Sequence, residues 1–140
     1  MNDQKLHKQG HCLCGKVSYT AQVSTGVGAC HCSMCQRWTG SAFMAVDAGA
    51  DIVFKGEENI ARYHSSEWAE RGFCQACGTN LFYHLKQQDQ YMMLLGTLDD
   101  VEGLELDHQI FVEEKSPVYQ FANQTREMTG EEVFAAFAQD

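Results

Sequence analysis

Seven cysteines in three short clusters constrain this chain more than any other feature of its sequence. The clusters have the patterns C-x-C, C-x-C-x-x-C and C-x-x-C, and their members are Cys12, Cys14, Cys30, Cys32, Cys35, Cys74 and Cys77. An odd number of thiols cannot be paired completely into disulfides within one chain, and clustered cysteines in a reducing compartment more often bind metal. Because a tetrahedral zinc ion binds four thiolates, seven cysteines divide into a set of four and a set of three.

The two pairs that are each followed by glycine are favoured as one closed site. Gly15 follows Cys14, Gly78 follows Cys77, and glycine permits a sharp reversal of the backbone. If the first pair lies in a strand, its two side chains point to the same face and can meet one ion. We therefore expect a structural zinc ion on four thiols, although another pairing of the three clusters also fits the spacing: Cys12, Cys14, Cys74 and Cys77.

The remaining three cysteines, Cys30, Cys32 and Cys35, have the pattern of a catalytic zinc ion with an open fourth position. We expect this second ion to be labile, because three ligands hold it less firmly than four. Two other interpretations stay open. In the first, a histidine such as His11, His31 or His84 completes the site, which is then closed and structural. In the second, the three cysteines bind no metal and act as a redox pair with a spare cysteine.

A thiol that binds at three thiolates adds negative charge, so a neighbouring cation would stabilise the complex. Arg37 follows Cys35 by two residues and is the first candidate for contact with such a ligand. Lys16 and Arg71 come next. Each of these side chains is otherwise a solvated surface charge.

Charge and length limit the class of protein. The 140 residues carry 10 Lys and Arg against 19 Asp and Glu, and the whole excess of acid lies in residues 99–140. A net charge of -9 disfavours binding to a phosphate backbone. The first ten residues lack the apolar segment of a secretory signal, and no apolar run approaches the roughly 18 residues of a membrane span. We expect one cytoplasmic domain over residues 1–140, with no nucleic-acid or membrane partner.

Hydrophobic patterning predicts a mostly β protein. Apolar and polar residues alternate over Lys16–Val23, which is typical of a half-buried strand. The polar segment Lys55–Asn59 predicts a hairpin between its two flanking strands. Further short strands are predicted at Val27–Cys32, Phe43–Ala48, Ile52–Phe54, Ile60–Tyr63, Trp68–Phe73, Leu81–Leu85, Tyr91–Leu95 and Gln109–Val112.

Only two segments favour helix, and one favours a loop. Ser33–Trp38 predicts a helical turn, and Asp99–Asp107 predicts an acidic loop. Thr129 and Glu132 form a capping box that predicts a helix over about 130–138. We expect its apolar side chains to dock on the sheet: Val133, Phe134, Phe137 and Ala138.

Five segments together resemble the glutathione-dependent formaldehyde-activating enzyme family, which includes centromere protein V. They occur in the family's order and extend, with their surroundings, over residues 10–121: GHCLCGKVSY (Gly10–Tyr19), CHCSMCQRWTGS (Cys30–Ser41), RGFCQACGTNLF (Arg71–Phe82), LGTLDD (Leu95–Asp100) and HQIFV (His108–Val112). One departure is Val118, which stands where the family commonly has an aromatic residue, with Tyr119 next.

The resemblance implies a compact, zinc-stapled, multi-stranded β domain of β-tent-like shape, with two zinc ions. It implies that Cys12, Cys14, Cys74 and Cys77 hold the structural ion, and that Cys30, Cys32 and Cys35 hold the second ion, at which glutathione binds. The implied activity is carbon–sulfur lyase chemistry on S-hydroxymethylglutathione, the adduct of glutathione and formaldehyde. His84 and His108 are candidates for proton transfer. The alternative function is a non-catalytic zinc scaffold that binds a protein or a small ligand.

Overall fold

A computed structural model describes residues 4–138 of the chain, and side chains as far as residue 136. The prediction of a mostly β protein with short helical segments and a C-terminal helix is confirmed. The helices are α1 (Ser33–Thr39) and α2 (Gly130–Ala138). The strands of the described residues are β1 (Lys5–His11), β2 (Ser18–Ser24), β3 (Gly26–Cys30), β4 (Phe43–Gly49), β5 (Ile52–Lys55), β6 (Ile60–Tyr63), β7 (Ala69–Cys74), β8 (Asn80–Leu85), β9 (Gln90–Leu94), β10 (Glu105–Ile110) and β11 (Arg126–Met128).

The described residues form two compact units, one of residues 4–25 and 45–104 and one of residues 26–44 and 105–138. The first unit contains an antiparallel sheet in the order β1-β2-β5 and an antiparallel array in the order β4-β9-β8-β7-β6. The second unit contains β10 between β3 and β11, and β10 is parallel to both. The expectation of a single domain stays a prediction.

The core of the first unit follows the alternation that the sequence shows. Tyr19, Ala21 and Val23 of β2 are buried, while the polar residues between them are half-exposed. Aromatic rings extend this core, with Phe82 lying 5.5 Å from Phe54 between ring centroids. The two rings are tilted by 45°, and such ring contacts add to the free energy gained from burying the rings.

Two local predictions for the first unit are wrong. The strands on either side of Lys55–Asn59 do not form a hairpin, because β5 pairs with β2 and β6 pairs with β7. Gly56, at a φ of +77°, and a short 3₁₀ turn over Glu57–Asn59 turn the chain between them. The first cysteine pair lies in the turn after β1 rather than in a strand.

The ends of the chain also differ from the prediction. The strands β1 and β11 lack an apolar alternation and were not predicted, and β10 begins at Glu105, inside the predicted acidic loop.

The predicted capping box at the start of α2 is confirmed, since Thr129 N–H donates to Glu132 at 2.8 Å and Glu132 N–H donates to Thr129 at 3.2 Å. Phe134 contacts Phe111 at 5.8 Å between centroids but stays 58% exposed. The side chains of Phe137 and Ala138 lie outside the described residues.

A search of the described residues for membrane-spanning segments finds no helix with the length and apolar character that crossing a bilayer requires.

Candidate metal centres

Two turns of the first unit, each closed by a glycine N–H, carry the first group of thiols. Gly15 N–H donates to the carbonyl of Cys12 at 3.1 Å, and Gly78 N–H donates to the carbonyl of Cys74 at 2.7 Å. Both glycines have a φ near +80°, a conformation that costs a residue with a Cβ about 1–2 kcal/mol. Glycine at these two positions therefore allows the chain to reverse sharply, as the sequence predicts. The first turn follows a strand instead of lying within one.

The four sulfur atoms of these turns lie within 4.8 Å of one another. Cys14 Sγ is 3.6 Å from Cys12 Sγ and 3.9 Å from Cys74 Sγ. Four ligands at about 2.3 Å from a tetrahedral centre are separated by about 3.8 Å, so this set fits a zinc ion. The group comprises Cys12, Cys14, Cys74 and Cys77, and a metal ion on it stays a prediction.

Two thiols of this group have lowered pKa values. Burial raises the pKa of Cys12, but hydrogen bonds outweigh it, among them that from the Val17 N–H at 3.4 Å, and the pKa is lowered overall. The Thr79 hydroxyl, 3.1 Å from the sulfur, lowers the pKa of Cys77 to about 5. Because the pKa of Cys77 lies below neutral pH, metal binding to this sulfur does not have to displace a proton there.

The pKa of Cys14 is raised instead of lowered. A hydrogen bond from the Lys16 N–H lowers its pKa, but burial and the neighbouring thiols raise the value to about 11. In the metal-free chain the pKa of Cys14 therefore lies far above that of Cys77. A divalent cation at the centre of the group would stabilise all four thiolates together, including that of Cys14.

The second group of thiols lies in the second unit, where β3 runs into α1. Cys30 ends β3, Cys32 is the N-cap of α1, and its sulfur accepts a hydrogen bond from the Cys35 N–H at 3.3 Å. The three sulfur atoms lie within 4.8 Å of one another. Cys35 is buried, whereas Cys30 and Cys32 are half-exposed, and an open position for a ligand at this group stays a prediction.

Hydrogen bonds with Cys32 and Cys35, and then burial, raise the pKa of the Cys30 thiol above its ordinary value. Three thiolates this close repel one another, so the metal-free chain keeps a proton in the group. Three soft sulfur donors suit a zinc ion, which is commonly held by three protein ligands at catalytic sites.

Polar contacts hold α1 against the rest of its unit. Gln36 donates from its side chain to the carbonyl of His31 at 2.6 Å and to the carbonyl of Glu114 at 2.8 Å. The Ser33 N–H donates to the Glu114 carboxylate at 2.9 Å. Gln36 and Glu114 therefore help to position Cys32 and Cys35. Neither residue is predicted from the sequence, where only the place of Gln36 directly after Cys35 points to the first.

His31 lies between two of the thiols in sequence, but its ring points elsewhere. It is fully buried, with Nε2 2.8 Å from the Gln109 side-chain oxygen and Nδ1 3.2 Å from the Tyr119 hydroxyl. The Gln109 amide nitrogen donates to Thr125 at 2.8 Å, so its oxygen faces the imidazole as the acceptor of the Nε2–H. Nδ1 then accepts from the Tyr119 hydroxyl. His31 therefore has both ring nitrogens engaged within the protein and does not complete the thiol group.

Among the remaining predicted site residues are two histidines beside carboxylates and one exposed arginine. Nδ1 of His11 is 2.7 Å from the Asp99 carboxylate, and Nδ1 of His84 is 2.8 Å from Glu70. Arg37 is exposed in the last turn of α1, about 200° around the helix from Cys35 at 100° per residue. Its contact with a thiol ligand stays a prediction.

Comparison of the sequence with known protein families identifies the family of this chain. The sequence model of the glutathione-dependent formaldehyde-activating enzyme matches residues 7–114. The chain belongs to the glutathione-dependent formaldehyde-activating enzyme family. That stretch includes both groups of thiols, so the resemblance seen in the five sequence segments is confirmed.

Two individual relatives agree with this assignment. A Schizosaccharomyces pombe protein named as an uncharacterized lyase is 32% identical over 127 residues, which cover 89% of this chain and 93% of that protein. The crystal structure of a Rhodobacter sphaeroides protein matches with a TM-score of 0.58 and 27% identity, over 67% of this chain and 90% of the other. The family and the name of the first relative support a glutathione-related, lyase-type role.

Proposed function

We propose that this member of the family is a zinc-dependent carbon–sulfur lyase that acts on a thiol–aldehyde adduct such as S-hydroxymethylglutathione. The observation that carries the proposal is the second group of thiols, in which three sulfur atoms converge and two of the three cysteines are half-exposed. A set of three donors with one open side is what a metal that binds a substrate thiol requires.

The two groups of thiols take different parts in this proposal. Cys12, Cys14, Cys74 and Cys77 hold a closed structural ion, since four donors leave no position for a substrate. Cys30, Cys32 and Cys35 hold the second ion. Zinc bound there supplies a centre at which a thiol loses its proton and becomes a nucleophile.

The chemistry follows from the two substrates that the family's name gives. In one direction the carbon–sulfur bond of the adduct breaks, its electron pair stays on sulfur, and the hydroxyl loses its proton as formaldehyde leaves. In the other direction the thiolate attacks the aldehyde carbon, and the oxygen takes up a proton. The protein gains by holding both reactants in one place, which removes much of the entropic cost of their encounter.

An assay of adduct breakdown tests the proposal, with the spontaneous reaction subtracted. We expect zinc-loaded wild type to accelerate the equilibration of glutathione, formaldehyde and adduct, and Cys35→Ser to lose at least about 100-fold of that rate, as removal of a catalytic group commonly does. Met34→Leu, between Cys32 and Cys35, is the matched control and should keep the wild-type rate. A wild-type rate equal to the spontaneous one would contradict the proposal and favour the non-catalytic scaffold.

A further inference from the structure

A β-bulge in β10 brings a carboxylate and an imidazole together. The register pairs Leu106 with Val27 and His108 with Gly28, so Asp107 is an extra residue in β10. Neighbouring residues of a regular strand point to opposite faces, but a bulge changes that alternation. Asp107 and His108 consequently lie on one face, and the Asp107 carboxylate is 2.5 Å from Nδ1 of His108.

Two glycines of the neighbouring strand β3 make room for this pair. A Cβ added at Gly26 would lie 2.3 Å from the Asp107 carboxylate, and a Cβ added at Gly28 would lie 2.2 Å from Nε2 of His108. The imidazole therefore occupies the place that a side chain at position 28 would take. Only glycine at these two positions permits the pair to lie flat against β3.

The same face of β3 carries a thiol of the second group. Gly26, Gly28 and Cys30 alternate along the strand, and residues two apart point to one face, about 6.6 Å apart along it. His31 and Gln109 are buried together on the opposite face. The Asp107–His108 pair and the thiol group therefore share one face of this sheet.

The hydrogen bonding leaves one ring nitrogen of His108 available. Nδ1 donates to Asp107, so in the tautomer that this bond selects the lone pair is on Nε2. Among residues 4–138, the structure gives Nε2 no hydrogen-bond partner, and the side chain is 32% exposed. An imidazole oriented by a carboxylate, with no hydrogen-bond partner on its second nitrogen, has the geometry of a general acid–base.

We propose that His108 is a catalytic residue that transfers the hydroxyl proton of the thiol–aldehyde adduct, and that Asp107 is the positioning residue that orients it. This role rests on the proposed function. In adduct breakdown, Nε2 of His108 accepts the hydroxyl proton while the oxygen forms the C=O bond of the aldehyde. The carbon–sulfur bond breaks at the same time, and its electron pair stays on the sulfur of the departing thiolate. In adduct formation the imidazolium returns the proton to oxygen.

Steady-state kinetics with glutathione and formaldehyde, on zinc-loaded full-length protein, test this role. We expect His108→Gln to lower kcat by about 10²–10⁴-fold, the range that general acid–base catalysis supplies, with KM within about threefold of wild type. Asp107→Asn should lower kcat by a smaller factor, again with KM little changed. Native mass spectrometry should show the wild-type number of zinc ions and of glutathione molecules on both variants.

A pair of glycine variants tests the geometry itself. Gly28→Ala places a methyl group where Nε2 lies, so it should lower kcat as His108→Gln does while the zinc content stays unchanged. Gly96→Ala is the matched control, because a Cβ there meets nothing within 4 Å, and it should keep the wild-type kcat.

The outcomes separate this role from the proposed function. If wild type turns over and His108→Gln keeps kcat within threefold, the catalytic role of His108 is wrong and the proposed function stands. If His108→Gln loses zinc or glutathione together with its activity, the residue is structural and the role is equally wrong. If wild type itself shows no turnover above the spontaneous rate, the proposed function fails and this role fails with it.

Discussion

Arg62 donates from Nη1 to the carboxylate of Glu70 at 2.6 Å, and the guanidinium lies 5.0 Å from the centre of the Phe82 ring. Nδ1 of His84 is 2.8 Å from the same carboxylate oxygen. Glu70 is only 8% exposed, so it is a buried charge that needs both partners. This group joins β6, β7 and β8 within the first unit.

Glu70→Gln should therefore destabilise the protein by about 2–3 kcal/mol, because it weakens the hydrogen bonds of a buried carboxylate. Glu57→Gln is a matched control on the same arginine, since Glu57 is 63% exposed and 3.6 Å from Nη2 of Arg62. That change should cost less than about 1 kcal/mol. Urea denaturation at pH 7 measures both, and equal effects of the two substitutions would contradict the assignment of Glu70.

The same carboxylate predicts an acid dependence of stability. Burial raises the pKa of Glu70, but the hydrogen bonds from His84 and Arg62 outweigh it and hold the pKa below its ordinary value. A carboxylate with a lowered pKa in the folded state stabilises it above the unfolded-state pKa, about 4.3, and loses that contribution as pH falls through the folded-state pKa. The gap between wild type and Glu70→Gln should be constant from pH 7 to about 5 and close towards pH 3. A gap that persists at pH 3 would show that ionisation of Glu70 is not its source.

The first group of thiols predicts a metal-dependent fold. Cys74 is fully buried, and Cys74→Ser should remove one zinc ion per chain, with a large loss of stability, since a structural zinc ion contributes on the order of 10 kcal/mol. Leu13→Ser is the control, because Leu13 lies between Cys12 and Cys14 but is 87% exposed. Thermal unfolding and zinc content measure the effect. Unchanged zinc content in Cys74→Ser would contradict the assignment of a structural zinc ion to these four thiols.

The buried hydrogen bond between His31 and Gln109 supports the segment that carries the second group of thiols. Gln109→Leu leaves the His31 Nε2–H without an acceptor, and an unsatisfied buried donor costs about 1–3 kcal/mol. Thr125→Val should cost less, because Thr125 is half-exposed and water can replace its hydroxyl as the partner of Gln109. Urea denaturation compares the two. A Gln109→Leu variant as stable as wild type would show that the bond adds nothing to the fold.

Much of this structure follows from local sequence. Gly15 and Gly78 mark the two turns that bring four thiols together, and the alternation over Lys16–Val23 corresponds to a buried strand. Thr129 and Glu132 mark the start of α2. These features depend on residues a few positions apart, so their physical cause is visible in the sequence.

Other features depend on partners far along the chain and could not be predicted in the same way. β5 pairs with β2, although a hairpin with β6 requires only a short turn. β1 buries Lys8 against Asp100, and a buried lysine gives no apolar alternation. Asp107 and His108 share one face only because of a bulge, and a bulge depends on the register with the neighbouring strand.

We propose that Cys30, Cys32 and Cys35 form a metal centre that binds a thiol, separate from the structural site. Native mass spectrometry of wild type and Cys32→Ser, with and without glutathione, tests this proposal. We expect two zinc ions on wild type, one on Cys32→Ser with the fold intact, and a bound glutathione on wild type alone. One zinc ion on both proteins, with no bound glutathione on either, would contradict it.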